Sequence, residues 1–250
     1  MAEFDDVADH YDVTRGGVRR GDEFAGYLDR RLGDRAAPVL EIGIGSGLVA
    51  LGLAKRGRPV AGVDVAARML TQAVDRLGPV VARADATVLP FPTGSFDQAV
   101  SAWVVHAVAR PDLLFAEAFR VLRPGGRFLV LPQNRADPND RIAAIFDELY
   151  QRATALHPTG RPKSLDAARM VDWGEAAGFR ASVETMARST WETTAAAAIQ
   201  AIEVRSRPAL VGLDDDEFED VAGPALRELA RLPEGPILQS AFIDLVALTR

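Results

Sequence analysis

The stretch VLEIGIGSGLVALGLAKRG, residues 39–57, decides the fold of this chain. A short, mostly apolar run leads into a glycine loop, and the loop opens into a segment with helical periodicity. This order predicts a strand, a tight turn and a helix that begins near Ser46. Gly43, Gly45 and Gly47 let the backbone turn sharply and approach a ligand, because no Cβ intervenes. We therefore expect the loop and the helix N-terminus to bind a polar, nucleotide-like ligand; a glycine turn without a ligand is the alternative.

The residues around the glycines separate this loop from the dinucleotide fingerprint G-x-G-x-x-G. The third glycine of that fingerprint would fall at Leu48, whereas the chain has E-x-G-x-G-x-G starting at Glu41. A carboxylate at Glu41 would repel a pyrophosphate and attract a ligand that carries a positive charge. The loop therefore favours a ligand that carries a positive charge over a dinucleotide.

Composition is typical of one globular α/β domain. The 250 residues are 48% hydrophobic and 26% charged, and the net charge of -6 argues against nucleic acid as a partner. The chain contains no cysteine, which excludes disulfides and thiolate chemistry and fits a reducing cytoplasm. The acidic, polar start is unlike a signal peptide, and no apolar run approaches the roughly 20 residues needed to span a bilayer. We therefore expect a cytoplasmic protein that does not enter a membrane.

Strand and helix patterns alternate after the glycine loop, which predicts a parallel sheet covered by helices on both faces. Ligands in such sheets bind beyond the carboxyl ends of the strands, at the topological switch point. The predicted strands are 39–42, 59–64, 79–84, 96–103 and 127–131, and the predicted helices between them include 66–77 and 110–122.

The last third of the chain has a different pattern. Helices are predicted at 138–156, 164–177, 193–204 and 218–232, and strands at 179–187 and 240–250. The acidic run 214–217 suits the N-terminus of the helix that follows it, and we prefer a helix cap there to a metal site. No metal site is expected. We predict a single domain over residues 1–250, with an N-terminal cap segment at 1–35, a cofactor-binding core at 36–132 and substrate-covering excursions at 133–163 and 188–236.

With these motifs in place, the chain resembles the class I S-adenosylmethionine-dependent methyltransferases, in their small-molecule, methyltransferase type 11-like branch. VLEIGIGSG resembles the first motif of that family, and FDQAVSAWVVHAV and RVLRPGGRFLV resemble its fourth-strand motif and the turn before its fifth strand. The resemblance implies a seven-stranded, Rossmann-like sheet, mostly parallel, with an antiparallel last strand. It also implies S-adenosyl-L-methionine as cofactor and S-adenosyl-L-homocysteine as product.

The resemblance also implies roles for individual residues. Asp64 resembles the acid that holds the ribose hydroxyls, and a carboxylate about 20 residues beyond the loop, at a second strand end, can do so chemically. Asp85 resembles the acid that accepts from the adenine amino group, with Ala86 as a backbone contact; a surface turn is the alternative for Asp85. The full set of expected cofactor contacts is Tyr11, Glu41, Gly43, Gly45, Ser46, Gly47, Asp64, Val65, Met69, Asp85, Ala86, Ala102 and Trp103.

Three of the expected residues have equally ordinary structural explanations. Met69 contacts the adenine face or fills the core, as methionine in helices commonly does. Tyr11 belongs to a lid over the cofactor or packs in the N-terminal segment, next to His10. His106 follows the fourth strand and is a candidate general base, although in this family a histidine there often has a structural role. His157 has no context that suggests chemistry.

Three functions remain open at this stage. The first is methyl transfer to an oxygen, nitrogen or carbon nucleophile of a small molecule, in which positioning supplies most of the acceleration. The second is a non-catalytic protein that binds S-adenosylmethionine, and the third is a nicotinamide- or flavin-dependent oxidoreductase. The glycine spacing and Glu41 disfavour the third. A small-molecule acceptor is the expected partner, and a homodimer is left open.

Overall fold

Strands and helices alternate through the first half of the chain, as the hydrophobic periodicity predicts. The computed structural model describes residues 12, 17–156, 166–205, 210 and 212–250. The helices are α1 Gly17–Asp29, α2 Leu48–Lys55, α3 Ala67–Leu77, α4 Pro111–Val121, α5 Arg141–Leu156, α6 Ala167–Ala177, α7 Ala195–Glu203 and α8 Asp215–Leu229, with a 3-10 turn at Val105–Ala107. The strands are β1 Val39–Ile42, β2 Val60–Asp64, β3 Val81–Arg83, β4 Phe96–Ala102, β5 Leu122–Leu131, β6 Arg135–Ala136, β7 Arg180–Thr193 and β8 Ile237–Thr249.

The sheet has the strand order β3-β2-β1-β4-β5-β8-β6, and β7 pairs with β8. Strands β1 to β5 pair in parallel, and β8 runs antiparallel to β5. The predicted Rossmann-like, mostly parallel sheet with an antiparallel last strand is confirmed. Within the described ranges the sheet has eight strands where seven were expected, and β6, with two residues, is one of the eight. The order reverses between β1 and β4, so the loops that follow these strands meet at the switch point.

The chain divides into two compact units. The first comprises residues 1–133, 162–186 and 244–250, and the second comprises residues 134–161 and 187–243. In the first unit the sheet packs against helices through a buried apolar cluster that includes Leu40, Ile42, Val63, Phe115 and Phe128. In the second unit the helices α5, α7 and α8 enclose their own cluster, which includes Ile142, Leu149, Ile202, Ala222 and Leu229.

Helix α1 packs against α2 at positions that carry no side chain. A Cβ on Gly21 would lie 2.7 Å from Cβ of Leu48, and a Cβ on Gly52 would lie 2.5 Å from Cβ of Ala25. Real Cβ atoms do not approach so closely, so glycine is required at both positions. No helix is predicted at 17–29, which lies within the expected cap segment 1–35. The close contact with α2 explains why this short segment is helical.

The acidic run before α8 forms a helix cap, as predicted. Oδ1 of Asp214 accepts from the backbone N–H of Glu217 at 2.9 Å, and Oε2 of Glu217 accepts from the backbone N–H of Asp214 at 3.0 Å. This reciprocal pair satisfies two of the amides that a helix leaves unpaired at its start.

The second unit has a polar cluster around Ser240. Oδ2 of Asp137 accepts from the Ser240 hydroxyl at 2.9 Å, and Oδ2 of Asp140 accepts from the Ser240 amide at 3.2 Å. The amide of Asn139, the Ser240 hydroxyl and the guanidinium of Arg188 together lower the pKa of Asp137 to about 2. Asp140 also caps α5, because its Oδ1 accepts from the amide of Ala143 at 3.0 Å. These bonds stabilise the start of α5.

The bounds of β7 and β8 differ from the prediction. Strand β7 continues to Thr193, whereas the sequence ended it at 187, and β8 begins at Ile237 rather than 240. The six residues from 188 to 193 are therefore strand and not part of an irregular excursion, because pairing with β8 extends this strand beyond its apolar part. No helix within the described residues is long and apolar enough to cross a membrane.

Candidate functional site

The three glycines of the loop between β1 and α2 share a left-handed backbone but have different surroundings. Gly43, Gly45 and Gly47 have φ values of 78°, 53° and 83°, in the left-handed region that favours glycine. A Cβ on Gly43 would lie 2.3 Å from a methyl group of Val104, whereas a Cβ on Gly45 would meet no atom of the described residues within 4 Å. Gly47 is the N-cap of α2, which begins at Leu48, two residues later than predicted. Gly45 is thus the loop position where the backbone faces open space.

Asp64, the last residue of β2, holds this loop in place. Its Oδ2 accepts from the amide of Gly45 at 2.8 Å, and its Oδ1 accepts from the amide of Ala66 at 2.9 Å, at the start of α3. The Asp64 side chain is half-buried. Each carboxylate oxygen has a second lone pair, so the two backbone bonds leave acceptor capacity for hydroxyl groups. The predicted ribose acid is therefore in direct contact with the predicted loop.

Glu41 is the third residue of β1, the strand that leads into the glycine loop. It is 3% exposed, and its Oε2 has no hydrogen-bond partner among the described residues. Burial and, to a smaller extent, the negative charge of Asp64 raise the pKa of Glu41 to about 8 against the opposing effect of the Ala50 amide. A buried carboxylate without a cation beside it is costly, so this environment favours the protonated form of Glu41.

Ser46 is buried under a residue from the start of the chain. Its hydroxyl donates to Oδ1 of Asp12 at 2.6 Å, and Arg76 of α3 donates both to Oδ2 of Asp12 and to the Ser46 carbonyl. Ser46 is 3% exposed. Asp12 is thus in direct contact with the glycine loop and with α3. The neighbouring residues Tyr11 and His10, like His157, lie outside the described residues.

Asp85 and its neighbours lie beyond β3. Asp85 is exposed, and its Oδ1 accepts from the amide and from the hydroxyl of Thr87, both at 2.8 Å. These bonds are those of a surface turn, which was the alternative considered for this residue. Ala86 is half-buried against the apolar cluster, and the carbonyl of half-buried Val65 accepts from Nε of Arg83 at 3.0 Å.

Met69 of α3 is 2% exposed, so in the unliganded structure its side chain is buried in the protein. This burial is what core filling predicts. The contact between Met69 and an adenine ring stays a prediction, and it requires that a ligand replace the protein atoms now covering the thioether.

The end of β4 carries a strained aromatic residue. Trp103 follows Ala102 and has a φ of 56°, which is rare for a bulky side chain. The ring of Phe24 packs edge-on against Trp103 with centroids 4.5 Å apart, and the guanidinium of Arg20 lies 4.3 Å from its centroid. The indole Nε1 is buried without an acceptor in the described part of the chain. His106 is half-buried in the 3-10 turn that follows.

The structure brings some of the predicted residues together and leaves others apart. Gly45 and Asp64 are hydrogen-bonded, and Glu41 is coupled to Asp64 by charge. Asp85 makes its described side-chain bonds only within its own turn. Four residues near the loop were not predicted, because only the folded chain brings them there: Asp12, Arg20, Phe24 and Arg76. The described residues contain no group of three or more histidine, aspartate or glutamate side chains that could hold a metal ion.

Comparisons with known proteins agree with this geometry. Residues 40–130 match a family model described as a methyltransferase domain. A ubiquinone/menaquinone biosynthesis C-methyltransferase from Methylobacterium nodulans is 34% identical over 54% of this chain and 59% of its own length. A demethylmenaquinone methyltransferase from Mycobacterium bovis is 32% identical over 60% of this chain and 64% of its own length. The chain therefore matches about three fifths of the length of these two relatives.

A solved structure extends the likeness in fold to the whole chain. An S-adenosylmethionine-dependent methyltransferase from Thermotoga maritima has a TM-score of 0.60 with 18% identity, and the match covers 100% of this chain and 99% of that one. At this identity the match shows the fold alone. Residues 40–130 are therefore similar to a methyltransferase domain, and the chain shares the fold of the solved methyltransferase structure.

Proposed function

We propose that this protein transfers the methyl group of S-adenosylmethionine to a nucleophile of a small molecule. The observation that carries the proposal is the open backbone of Gly45 with the Asp64 carboxylate bonded directly behind it. The Gly45 backbone leaves a surface without side chains against which a nucleoside can lie, and the Asp64 carboxylate can accept hydrogen bonds from its hydroxyl groups. The family match over residues 40–130 supports the same cofactor.

Each site residue has a proposed task toward that cofactor. Asp64 accepts from the ribose hydroxyls, and Asp85 accepts from the adenine amino group, with Ala86 and Val65 as backbone neighbours. Glu41 faces the positively charged end, because an unpaired buried carboxyl is stabilised as an anion by a nearby cation. Gly43 and Gly47 shape the loop, and the remaining expected contacts are Tyr11, Ser46, Met69, Ala102 and Trp103.

When bound, the cofactor supplies a methyl group on a sulfonium sulfur; the acceptor's electron pair forms the new bond to that carbon as the carbon–sulfur pair leaves with sulfur. The chain's own task is to hold the acceptor atom about 3 Å from that carbon and to exclude water. If the acceptor atom carries a proton, that proton must pass to solvent or to a side chain. We propose His106 as the candidate for that transfer, with a minor contribution to rate.

The acceptor is proposed only by class, as an oxygen, nitrogen or carbon nucleophile of a small molecule. Carbon acceptors are the first to test, because two relatives are named for C-methylation or for demethylmenaquinone. We propose that acceptor recognition resides in the segments 1–35, 133–163 and 188–236, which lie outside the family match, and that the chain acts as one methyltransferase domain. We further propose a cytoplasmic protein without a nucleic-acid partner, in line with its net charge of -6.

A thermal-shift assay followed by a turnover assay tests the proposal. A ligand at 100 times its dissociation constant stabilises the native state by about 2.7 kcal/mol, so S-adenosylhomocysteine should raise the melting temperature and NAD should not. Stabilisation by NAD alone would favour an oxidoreductase instead. Stabilisation by S-adenosylhomocysteine without transfer of labelled methyl to any O, N or C acceptor of a broad panel would favour a non-catalytic binding protein.

A further inference from the structure

The segment 84–95, between β3 and β4, contains no helix or strand, so no ladder of backbone bonds holds it. It carries Asp85, the proposed acceptor for the adenine amino group. The bonds from Oδ1 of Asp85 to the amide and hydroxyl of Thr87 act within the turn itself. On the side of the sheet the turn is anchored, because the amide of Ala84 donates to the carbonyl of Asp64 at 2.9 Å. A second anchor is needed on the side that leads away from the sheet.

Two side chains of α4 provide this second anchor. Glu117 and Arg120 are three residues apart and therefore lie on one face of the helix. Oε2 of Glu117 accepts from the amide of Leu89 at 2.7 Å. Arg120 donates to the carbonyl of Leu89 at 3.0 Å and to the carbonyl of Phe91 at 2.7 Å. Both backbone groups of Leu89 are therefore bonded to side chains of α4, shortly after the Asp85 turn.

Glu117 and Arg120 also hold each other in place. Nε of Arg120 donates to Oε1 of Glu117 at 2.7 Å, and Nη2 donates to Oε2 at 2.8 Å, which is the two-pronged geometry of a strong ion pair. The Arg120 guanidinium and, to a smaller extent, the Leu89 amide hold the pKa of Glu117 below its usual value against the effect of burial. Glu117 therefore accepts from Leu89 as an ionised group at neutral pH.

Apolar contacts hold the side chains of the same segment. Leu89 is 4% exposed and belongs to the apolar cluster of the first unit, and the ring of Phe91 packs edge-on against Phe96 with centroids 5.0 Å apart. Apolar contacts are non-directional, whereas hydrogen bonds require particular orientations of their donors and acceptors. The orientation of the backbone that follows the Asp85 turn is therefore determined by the bonds to Glu117 and Arg120.

We propose that Glu117 and Arg120 are positioning residues for cofactor recognition: by holding Leu89 and Phe91 on α4, they direct the Asp85 carboxylate toward the adenine amino group. The inference rests on the proposed function, in which Asp85 accepts from that amino group. It adds that the preference for adenine depends on a pair of side chains on α4, and not only on the turn after β3.

The ratio of two affinities tests the positioning role. S-inosylhomocysteine carries a carbonyl oxygen where S-adenosylhomocysteine carries the adenine amino group, so a well-placed Asp85 carboxylate should favour S-adenosylhomocysteine by about tenfold or more. Isothermal titration calorimetry measures both dissociation constants on the same preparation. An unfolded fraction weakens the binding of both ligands equally, so a loss of stability alone leaves the ratio unchanged.

Substitutions on α4 should change this ratio selectively. Glu117→Ala should lower it at least about threefold, because the Leu89 amide loses its acceptor and Arg120 loses its partner. Glu117→Gln should keep it within about twofold, because the amide oxygen of glutamine can still accept from Leu89. Arg120→Lys should lower it as Glu117→Ala does, because an ammonium lacks the planar fork of the guanidinium. The matched control is Asp112→Ala, which removes the exposed ion pair with Arg110 at the start of α4 and should leave the ratio unchanged.

A double variant shows whether Glu117 acts through Asp85. Asp85→Ala alone should bring the ratio close to one, and the addition of Glu117→Ala should then change it no further. A further change in the double variant would show that Glu117 affects the ligand by another route, and this result would overturn the proposal. A ratio that is unchanged in both Glu117→Ala and Arg120→Lys would overturn it as well.

The unmodified chain separates this inference from the proposed function. A chain that binds no S-adenosylhomocysteine contradicts the proposed function itself. A chain that binds both ligands equally contradicts the adenine role of Asp85, and with it the positioning role of Glu117 and Arg120. A chain that prefers S-adenosylhomocysteine, and keeps that preference in Glu117→Ala, contradicts the positioning role alone.

Discussion

The amide of Gly45 donates to Oδ2 of Asp64 at 2.8 Å, so the carboxylate that ends β2 also fixes the loop that follows β1. The bond requires the register in which Ile42 of β1 pairs with Val63 of β2. Because the second oxygen of Asp64 accepts from Ala66, a single side chain orders both the glycine loop and the start of α3. Asp64 therefore determines the shape of the loop at which we propose that the nucleoside binds.

Replacement of Asp64 by alanine should weaken binding of S-adenosylhomocysteine by at least about tenfold. Hydrogen bonds to a charged group contribute about 1.5–3 kcal/mol each, and the two backbone amides also lose their acceptor. Isothermal titration calorimetry measures the affinity, and a thermal melt measures the accompanying loss of stability. Asp97→Ala is the matched control, because Asp97 is an exposed acid paired with Arg123 and should leave the affinity unchanged. An unaltered affinity in folded Asp64→Ala would remove Asp64 from the site.

Valine at Gly45 should abolish cofactor binding, because a branched side chain would fill the space over the loop. The φ of 53° also strains any residue with a Cβ, so stability should fall as well. Gly57→Val separates the two effects, since Gly57 also has a positive φ, 79°, and open space at its Cβ, but lies at the far end of α2. Both variants should lose stability in denaturant titrations, and only Gly45→Val should lose binding. Equal binding by the two variants would make the loop an ordinary turn.

Because of Glu41, the free energy of unfolding should fall as pH rises. Its pKa is about 8 in the folded chain and near 4.5 when unfolded, so both states are protonated below 4.5 and the destabilisation develops between 4.5 and 8. Glu41→Gln has no such titration. Relative to this variant, the unmodified chain should lose at most about 1.4 kcal/mol per pH unit in this range, as measured by urea unfolding at several pH values. A difference that is constant with pH would show that Glu41 is ionised in the folded protein.

The ionisation of Glu41 should also be measurable when the cofactor binds. A cationic cofactor favours the ionised form of Glu41, so its binding at pH 7 should release a proton to the buffer. Calorimetry in two buffers of different ionisation enthalpy measures this release, and Glu41→Gln should abolish it. Identical heats in both buffers for the unmodified chain would mean that Glu41 does not respond to the ligand's charge.

Alanine at His106 should reduce turnover by less than about tenfold and leave cofactor affinity unchanged. The sulfonium methyl group is already activated, so positioning carries most of the acceleration. Steady-state rates with a saturating acceptor test this, with S-adenosylhomocysteine affinity as the control. A loss of about 10²–10⁴-fold with intact affinity would assign general base catalysis to His106 instead.

The sequence predicted the elements around the glycine loop well, because strand, turn and helix signals there are local. Asp64 was predicted as a site residue from the family resemblance, from its distance along the chain and from its place at a strand end, and that role stays a prediction. The bond between Gly45 and Asp64 was beyond prediction, since it depends on how two strands align. The contact of Asp12 with Ser46, 34 residues apart, leaves no local pattern either.

Buried charges were missed for the same reason. Arg58 is 4% exposed and donates to Oδ1 of Asp29 at 2.5 Å, but in the sequence it is an arginine in a turn between α2 and β2. The hydrophobic pattern identifies which segments are buried, whereas the partner that allows a charged side chain to be buried comes from a distant part of the chain. The extension of β7 to Thr193 was missed because its exposed, mixed residues give no strong periodicity.

The contact of α1 with α2 constrains how this chain can change over evolutionary time. At Gly21 a Cβ would also lie 2.8 Å from the backbone oxygen of Leu48, so a smaller residue at 48 makes no room there, whereas at Gly52 the nearest atom is Cβ of Ala25. Single substitutions at these glycines should be purged, and a compensating change at the facing residue can relieve Gly52 alone. Since α2 begins at the proposed cofactor loop, the helix that precedes the sheet should diverge in step with the loop's own helix and more slowly than other surface helices.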